Sequence, residues 1–289
     1  MNSRSQKQNT ESMVYEETKS KAAVHLASLQ GERSSNEDSH TVYTNLSGKD
    51  KDKGDVNFFA VFDGHGGKYV SKFLENNLPQ FFINKSLKYP LTREYIDKVY
   101  NGVQQKLRSL PGKEAHECGS TCCAVIEYKK DNDKYLQIIN TGDSRAVLCN
   151  GNNIAKQLTL DHKPDWPEEV RRISKLGGVI RNQDGTWRIK DLSVSRAFGD
   201  VNASKYVTHI GDIFETKINS NDKFMVIACD GLWDELSNQD VVNFVLNNCY
   251  DSKLENRINN DHNIARKLAE HAINEGSGDN VTAVVVFFK

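Results

Sequence analysis

Two apolar runs in this chain, Phe58-Phe-Ala-Val-Phe62 and Phe224-Met-Val-Ile-Ala-Cys229, each end in an aspartate followed by a glycine, at Asp63-Gly64 and Asp230-Gly231. Runs this short, aromatic and branched read as strands buried on both faces. A carboxylate at the end of such a strand is anchored to the most rigid part of a domain, as a site with strict geometry requires. The neighbouring glycine lets the backbone approach a ligand closely.

Further carboxylates repeat the arrangement. Asp143, in Asn140-Thr-Gly-Asp-Ser144, lies in a turn between two strand-like runs, Asp279 with Asn280 precedes the last one, and Glu37-Asp38 precedes the run Ser39–Tyr43. Taken singly, each is an ordinary turn or a solvated surface pair. Their recurrence at strand ends points to one cluster. Crowded carboxylates repel one another and take up protons unless cations neutralise them. Ligands that are all oxygen favour Mg²⁺ or Mn²⁺ over zinc.

Two further residues suggest what such cations act on. Arg33 lies just upstream of Glu37, and a guanidinium binds phosphate oxygens bidentately. His65 follows Asp63-Gly64, where an imidazole is placed to give a proton to a departing oxygen. Each alone is more often a surface residue. Other chemistries fail simple tests, since the chain has no Cys-x₅-Arg, no Gly-x₄-Gly-Lys-Ser/Thr, no His-Glu-x-x-His and no Gly-x-Ser-x-Gly.

The remaining pattern predicts an α+β domain. Ala23–Leu29, Ser39–Tyr43, Thr121–Tyr128, Tyr135–Ile139, Ala146–Cys149 and Val281–Phe288 read as strands. The runs from Thr121 to Cys149 suggest an antiparallel meander. Helical spacing appears at Val70–Leu78, at Tyr95–Leu107 and at Ile264–Ala272, which ends near Gly276; Pro167 opens a short helix, and Ser237-x-x-Asp240 caps another. Strands and helices do not alternate, so layers of sheet and paired helices are expected rather than a doubly wound parallel sheet. Residues 1–22 read as a polar, flexible tail and 23–289 as one domain. Trp166 and Trp187 are expected either in a groove or packed in the core.

The chain has 289 residues, 37% of them hydrophobic, enough for a sizeable core, and its formal net charge of -1 gives no drive toward nucleic acid. No run approaches the ~18 apolar residues of a membrane helix, and the N-terminus lacks the apolar core of a secretory signal. Asn2 excludes N-myristoylation. A cytoplasmic or nuclear protein is the default expectation, and a monomer the simplest. The six cysteines show no metal-binding spacing and read as reduced thiols, with adjacent Cys122 and Cys123 on opposite faces of a strand.

The strings Arg33-Ser-Ser-Asn-Glu37-Asp38-Ser, Phe62-Asp-Gly-His-Gly-Gly67, Thr141-Gly-Asp-Ser-Arg145, Asp161-His-Lys-Pro164, Val194-Ser-Arg-Ala-Phe-Gly-Asp200, Cys229-Asp-Gly-Leu-Trp-Asp234 and Gly278-Asp-Asn-Val-Thr282 together resemble the metal-dependent protein phosphatases of the 2C type. The resemblance implies an αββα sandwich of two antiparallel sheets flanked by helix pairs. It implies a binuclear Mg²⁺ or Mn²⁺ centre that activates water to hydrolyse phosphoserine and phosphothreonine in protein substrates. By position, Asp63 matches the bridging ligand, Gly64 lends its carbonyl, Asp230 and Asp279 complete one metal, and Glu37 serves the other, mostly through water. Asp38 and Asn280 match residues behind the ligands. Asp143 matches a carboxylate that, with Asp230, holds a third, weaker ion in some members. Arg33 matches the phosphate-binding arginine and His65 the general acid. The segment from Trp166 to Tyr206 corresponds to the family's variable flap, and Gly211-Asp212 departs from a common Pro-Glu turn. The competing readings are a pseudophosphatase with the same fold and a structural cation-binding protein. The physiological substrate and regulators are not legible.

Overall fold

A computed structural model describes residues 23–44, 56–83, 86–258 and 262–288, together with the backbone of Glu11–Glu16. Two antiparallel sheets stack face to face. One runs in the order Glu11–Glu16, Ala23–Leu29, Val281–Phe287, Phe224–Ala228, Arg145–Cys149, Ala155–Gln157. The other runs Asp212–Lys217, Asp133–Thr141, Cys122–Lys130, Asn57–Phe62, Ser39–Tyr43.

Side chains alternate across each strand, so a strand covered on both faces must be apolar at nearly every position. Asn57–Phe62 does this. Phe59 and Val61 enter the core between the sheets with Leu26, Val125, Ile138, Ile227 and Val284. Phe58, Ala60 and Phe62 face the helices Tyr69–Asn77 and Arg93–Ser109 through Leu74, Tyr100 and Val103. On the far side, Ala27, Val226 and Val285 pack against the helices Asn238–Cys249 and Ile264–Glu275. The result is the expected αββα sandwich. Cys122 and Cys123 fall in different layers, as their adjacency on a strand requires, and the cysteines are unpaired thiols.

The helix ends follow local chemistry. Thr92, Ser237 and Asn263 each accept a hydrogen bond from a first-turn backbone N–H, of Tyr95, Asp240 and Arg266. Gly276, with a φ of 128°, closes the last helix.

Two expectations change and a third narrows. Cys122–Lys130 and Asp133–Thr141 do form a hairpin, but Arg145–Cys149 does not continue it and crosses to the other sheet beside Phe224–Ala228. Ala146 and Leu148 face the inter-sheet core while Val147 and Cys149 face the helices, so this strand needs a place with both faces covered. Glu11–Glu16, within the segment read as a tail, is an edge strand paired with Ala23–Leu29. Of the two places open to Trp166 and Trp187, the core is removed, since both are exposed.

Between the strands Ala155–Gln157 and Asp212–Lys217, the chain forms a cap over one end of the sandwich. It contains the helix Pro167–Lys175 and the hairpin Arg181–Gln183/Thr186–Arg188, around a small core of Ile173, Ile189, Val194 and Val207. Glu169, buried beneath it, takes both Arg172 and Arg196.

Candidate active site

Strand register brings the distant carboxylates together. Ala228 lies opposite both Arg145 and Ala283, and Val281 lies opposite Leu29. The chain just past Ala228, just before Arg145, just before Val281 and just past Leu29 therefore emerges at one edge. That edge carries Asp230, Asp143, Asp279 and Arg33. In the facing sheet Ser39 pairs with Phe62, which sets Asp38 beside Asp63. These ends surround a cavity of about 190 Å³ lined by Arg33, Glu37, Asp63, Gly64, His65, Asp143, Asp230, Asp279 and Asn280, among others. Asp38 lies behind it. Each carboxylate named from the sequence, with Gly64, Arg33, His65 and Asn280, thus lines this cavity or, like Asp38, lies behind it.

Asp63 belongs to two clusters. Its carboxylate groups closely with Asp143 and Asp230 on one side, and with Asp38 and the Cys229 thiol on the other. Its backbone is held twice by Thr121, which donates N–H to the Asp63 carbonyl at 2.8 Å and accepts the Asp63 N–H at 3.1 Å. Gly64 allows this packing, because a Cβ there would lie 2.3 Å from the Glu37 carbonyl oxygen. Glu37 accepts hydrogen bonds from Gly67 N at 3.0 Å and Ser35 Oγ at 3.2 Å. Asn280 accepts from Glu37 N and donates to the carbonyls of Gln30 and Ser35, so it braces the Arg33–Glu37 loop.

The electrostatics are those of a cation site. Burial, reinforced by Asp230, Asp38, Asp143 and Asp279, holds the Asp63 carboxyl well above the usual carboxylate range. Burial and the nearby Asp143 push Asp230 up to about 8. Burial raises Asp38 to about 6, against hydrogen bonds from Thr282 and Cys229. Asp143 Oδ1 and Asp38 Oδ2 are buried without a hydrogen-bond partner. Burial and the neighbouring carboxylates also keep Cys229 a neutral thiol, so the available donors are oxygens. This donor set fits a hard divalent cation.

Three residues near the carboxylates were not assigned roles from sequence. The Lys163 ammonium enters the acidic corner, 2.5 Å from Asp143 Oδ2, 3.7 Å from Asp230 Oδ2 and 4.0 Å from Asp234 Oδ1. Burial favours its neutral form, but the carboxylates outweigh this and raise its pKa. Asp200 Oδ2 lies 2.7 Å from His65 Nε2. Burial lowers the His65 pKa, while Asp200 more than compensates and raises it. Gly119 makes that pair possible, since a Cβ there would fall 2.1 Å from Asp200 Oδ2 and 2.3 Å from His65 Nε2. The strings Asp161–Pro164 and Val194–Asp200 contain the first two, but spacing alone gave them no role.

The segment Asp161-His162-Lys163 clamps the turn that carries Asp143. Asp161 takes Arg145 through both carboxylate oxygens, at 3.1 and 2.5 Å. His162 accepts Gly142 N–H on Nδ1 at 3.1 Å, and its backbone N–H donates to the Gly142 carbonyl at 3.0 Å. With Nδ1 accepting, Nε2 carries the proton and donates it to Asp212 Oδ2 at 3.1 Å. Asp212, at the departure from the common turn, also takes Arg196, which ties the clamp to Glu169 under the cap. Arg33 donates to Asp279 Oδ2 at 2.8 Å and remains largely exposed at the cavity mouth.

Comparison with known proteins supports the same reading. A family model described as protein phosphatase 2C matches residues 22–281. The probable protein phosphatase 2C 59 of Oryza sativa subsp. japonica is 36% identical over 263 residues, covering 91% of this chain and 74% of that protein. The integrin-linked kinase-associated serine/threonine phosphatase 2C of Homo sapiens is 34% identical over 286 residues, covering 91% of this chain and 71% of that protein. A crystal structure of a serine-threonine phosphatase 2C from Toxoplasma gondii shares the fold, with a TM-score of 0.78 at 24% identity over 97% of this chain and 99% of that one. Among the described residues no helix is long and apolar enough to cross a membrane.

Proposed function

This chain belongs to the protein phosphatase 2C family, and we propose that it hydrolyses phosphoserine and phosphothreonine esters by direct attack of water at a centre of two Mg²⁺ or Mn²⁺ ions. The family is one of metal-dependent protein serine/threonine phosphatases. The observation that carries the finer reading is the double membership of Asp63, whose carboxylate joins Asp143 and Asp230 on one side and Asp38 on the other. A carboxylate shared in this way suits a bridging ligand.

In this reading Asp63 would be shared by two ions and Gly64 would lend its carbonyl, while Asp230 and Asp279 would complete the site of one ion and Glu37 would serve the other, mostly through water. Asp143 and Asp230 would hold a third, weaker one. Bound there, divalent ions lower the pKa of water and polarise the phosphoryl oxygens. The chain's own groups do the rest. Arg33, at the cavity mouth, takes the phosphate dianion through its guanidinium fork. Asn280 keeps the Arg33–Glu37 loop in place while this happens. Asp200 sustains the His65 imidazolium, which gives its proton to the departing serine or threonine oxygen, directly or through water. Asp38, behind Asp63, fixes the inner wall of the cavity.

The test is phosphate release from a phosphothreonine peptide with Mn²⁺, with Mg²⁺ and with EDTA, on wild type and Asp63→Asn. Turnover should require metal. Loss of an electrostatic stabiliser of this kind costs about 2.7–4 kcal/mol of barrier, so the variant should lose roughly 10²–10³-fold in kcat. Near-normal metal-dependent activity in Asp63→Asn would reject the assigned role.

A further inference from the structure

The cap builds a second, cationic cavity next to the first. In the hairpin Arg181–Gln183/Thr186–Arg188, Arg181 lies directly opposite Arg188. Like charges at directly opposed positions destabilise a strand pair, so this placement costs the isolated fold something. Lys190 adds a third cation just downstream. Arg181, Arg188 and Lys190 line a cavity of about 320 Å³, together with the buried Ile189, the half-buried Tyr206 and the exposed Val179.

The charges there are unbalanced. Asp191 is the one carboxylate among the lining residues, yet Arg188 Nη1 donates to its backbone carbonyl, at 2.7 Å, rather than to its side chain. Among the described residues, Arg181, Arg188 and Lys190 form no ion pair. That hydrogen bond also fixes the Arg188 guanidinium beside the cavity. Two guanidinium forks and an ammonium around one hollow match a carboxylate in charge and geometry.

The position gives the cavity its meaning. Lys190 and Asp191 line it, while Ser193 and Val194, next along the same strand of chain, line the cavity of the carboxylate cluster. From Lys190 to Ser193 an extended backbone spans at most about 10 Å. A substrate whose phosphorylated residue sits in the first cavity covers that distance with about three residues of its own.

We propose that the Arg181–Arg188–Lys190 cavity binds the carboxylate of an Asp or Glu a few residues from the phosphoserine or phosphothreonine being hydrolysed, so that the preferred substrates are phosphoproteins with acidic flanks. The inference rests on the phosphatase reading and adds a substrate class to it. The Ile189 and Tyr206 side chains in the lining accept the side-chain stem, and the cations take its head group.

The experiment compares kcat/KM on one phosphothreonine peptide series. Glu, Gln, Lys or a second phosphoserine is placed in turn at each position within four residues of the phosphothreonine. Para-nitrophenyl phosphate, too small to reach the second cavity, serves as control. Wild type should favour Glu over Gln at one or more positions by about tenfold, mainly through KM and less so at high salt. Arg181→Gln combined with Lys190→Gln should reduce that preference to about twofold or less and leave para-nitrophenyl phosphate turnover unchanged. Lys190→Glu should favour the Lys peptide. Equal rates on the Glu and Gln peptides in wild type, or a preference that survives the double variant, would overturn the proposal. Preference for the second phosphoserine alone, with Glu treated as Gln, would overturn the carboxylate assignment. If wild type fails to hydrolyse para-nitrophenyl phosphate with Mn²⁺, the phosphatase reading is at fault. Fluorescence anisotropy of the same peptides then reads the acidic preference without turnover.

Discussion

Replacing Lys163 by Met separates the protein's own cation from those it binds. The Lys163 ammonium lies 2.5 Å from Asp143 Oδ2 and 3.7 Å from Asp230 Oδ2, and the Asp143 side chain is only 1% exposed. Asp143 Oδ1 already lacks a hydrogen-bond partner. Lys163→Met keeps most of the stem and removes the charge, which leaves a buried carboxylate uncompensated. Breaking a buried pair costs about 3–5 kcal/mol, and the partial exposure of Lys163 puts this case near the lower end. At about 2–4 °C per kcal/mol for a chain of this size class, metal-free protein should melt at least about 6 °C lower. The sign reverses for cation binding. A divalent ion on Asp143 must displace the ammonium, so its absence should tighten that ion's binding by roughly 10–100-fold, equivalent to ~1.4–2.7 kcal/mol. Melting curves in EDTA and in Mn²⁺, with Mn²⁺ titration calorimetry on both proteins, read the two effects. An unchanged metal-free melting temperature together with an unchanged weak Mn²⁺ site would refute the idea that Lys163 holds this corner.

Other perturbations test other parts of the site. Gly119→Ala places a Cβ where Asp200 Oδ2 and His65 Nε2 now meet, so kcat should fall about 10–100-fold with little change in Mn²⁺ affinity; the alkaline limb of kcat should move to lower pH, because Asp200 no longer raises the His65 pKa. In His162→Asn the side-chain oxygen replaces Nδ1 as acceptor for Gly142 N–H, whereas His162→Gln reaches toward Asp212 and leaves that N–H unpaired, so melting should show the Gln variant less stable by about 1–3 kcal/mol. Metal-free protein should lose stability as pH rises from 6.5 to 8. Asp230, held up to about 8 in the fold against an ordinary value of 3.8, keeps a proton that the unfolded chain has released, so the native state binds more protons in this window. His25 and His209, lowered to about 4, give the opposite slope only below their ordinary value of 6.5. Saturating Mn²⁺ should flatten or reverse the decline, and a flat melting temperature across pH 6.5–8 in EDTA would count against the buried carboxylate cluster.

The fold was legible where one strand is enough to fix its own environment. Asn57–Phe62 and Phe224–Ala228 are apolar at nearly every position, which requires cover on both faces whatever their neighbours are. The destination of Arg145–Cys149 was not legible. Its alternation is that of any buried strand, and a short turn after Asp133–Thr141 is compatible both with a third meander strand and with a crossing to the facing sheet. The crossing is decided by tertiary pairing, with Ala228 opposite Arg145 and Phe224 opposite Cys149. That crossing also carries Asp143 into the cavity, so the same feature that defeats a local reading builds the site.

The site divides on the same line. Carboxylates that must face a cation sit at strand ends, and strand ends are visible in sequence as an apolar run that stops at Asp-Gly. The groups that tune Asp143 and His65 come from elsewhere: Lys163 from the connection after Ala155–Gln157, Asp200 from the stretch before Asp212–Lys217, and Gly119 as an empty space rather than a side chain. No period or spacing relates them to Asp143 or His65. What does relate them is continuity along the cap. His162 holds the Asp143 turn through Nδ1 and donates its Nε2–H to Asp212, Asp212 takes Arg196, and Arg196 shares Glu169 with Arg172 of the cap helix. Arg172 in turn donates to the carbonyl of Tyr206, a lining residue of the cationic cavity. A substrate side chain bound in that cavity therefore lies against the same hydrogen-bonded frame that positions Asp143, a frame that meets the cavity at Tyr206 and not at Arg181 or Lys190.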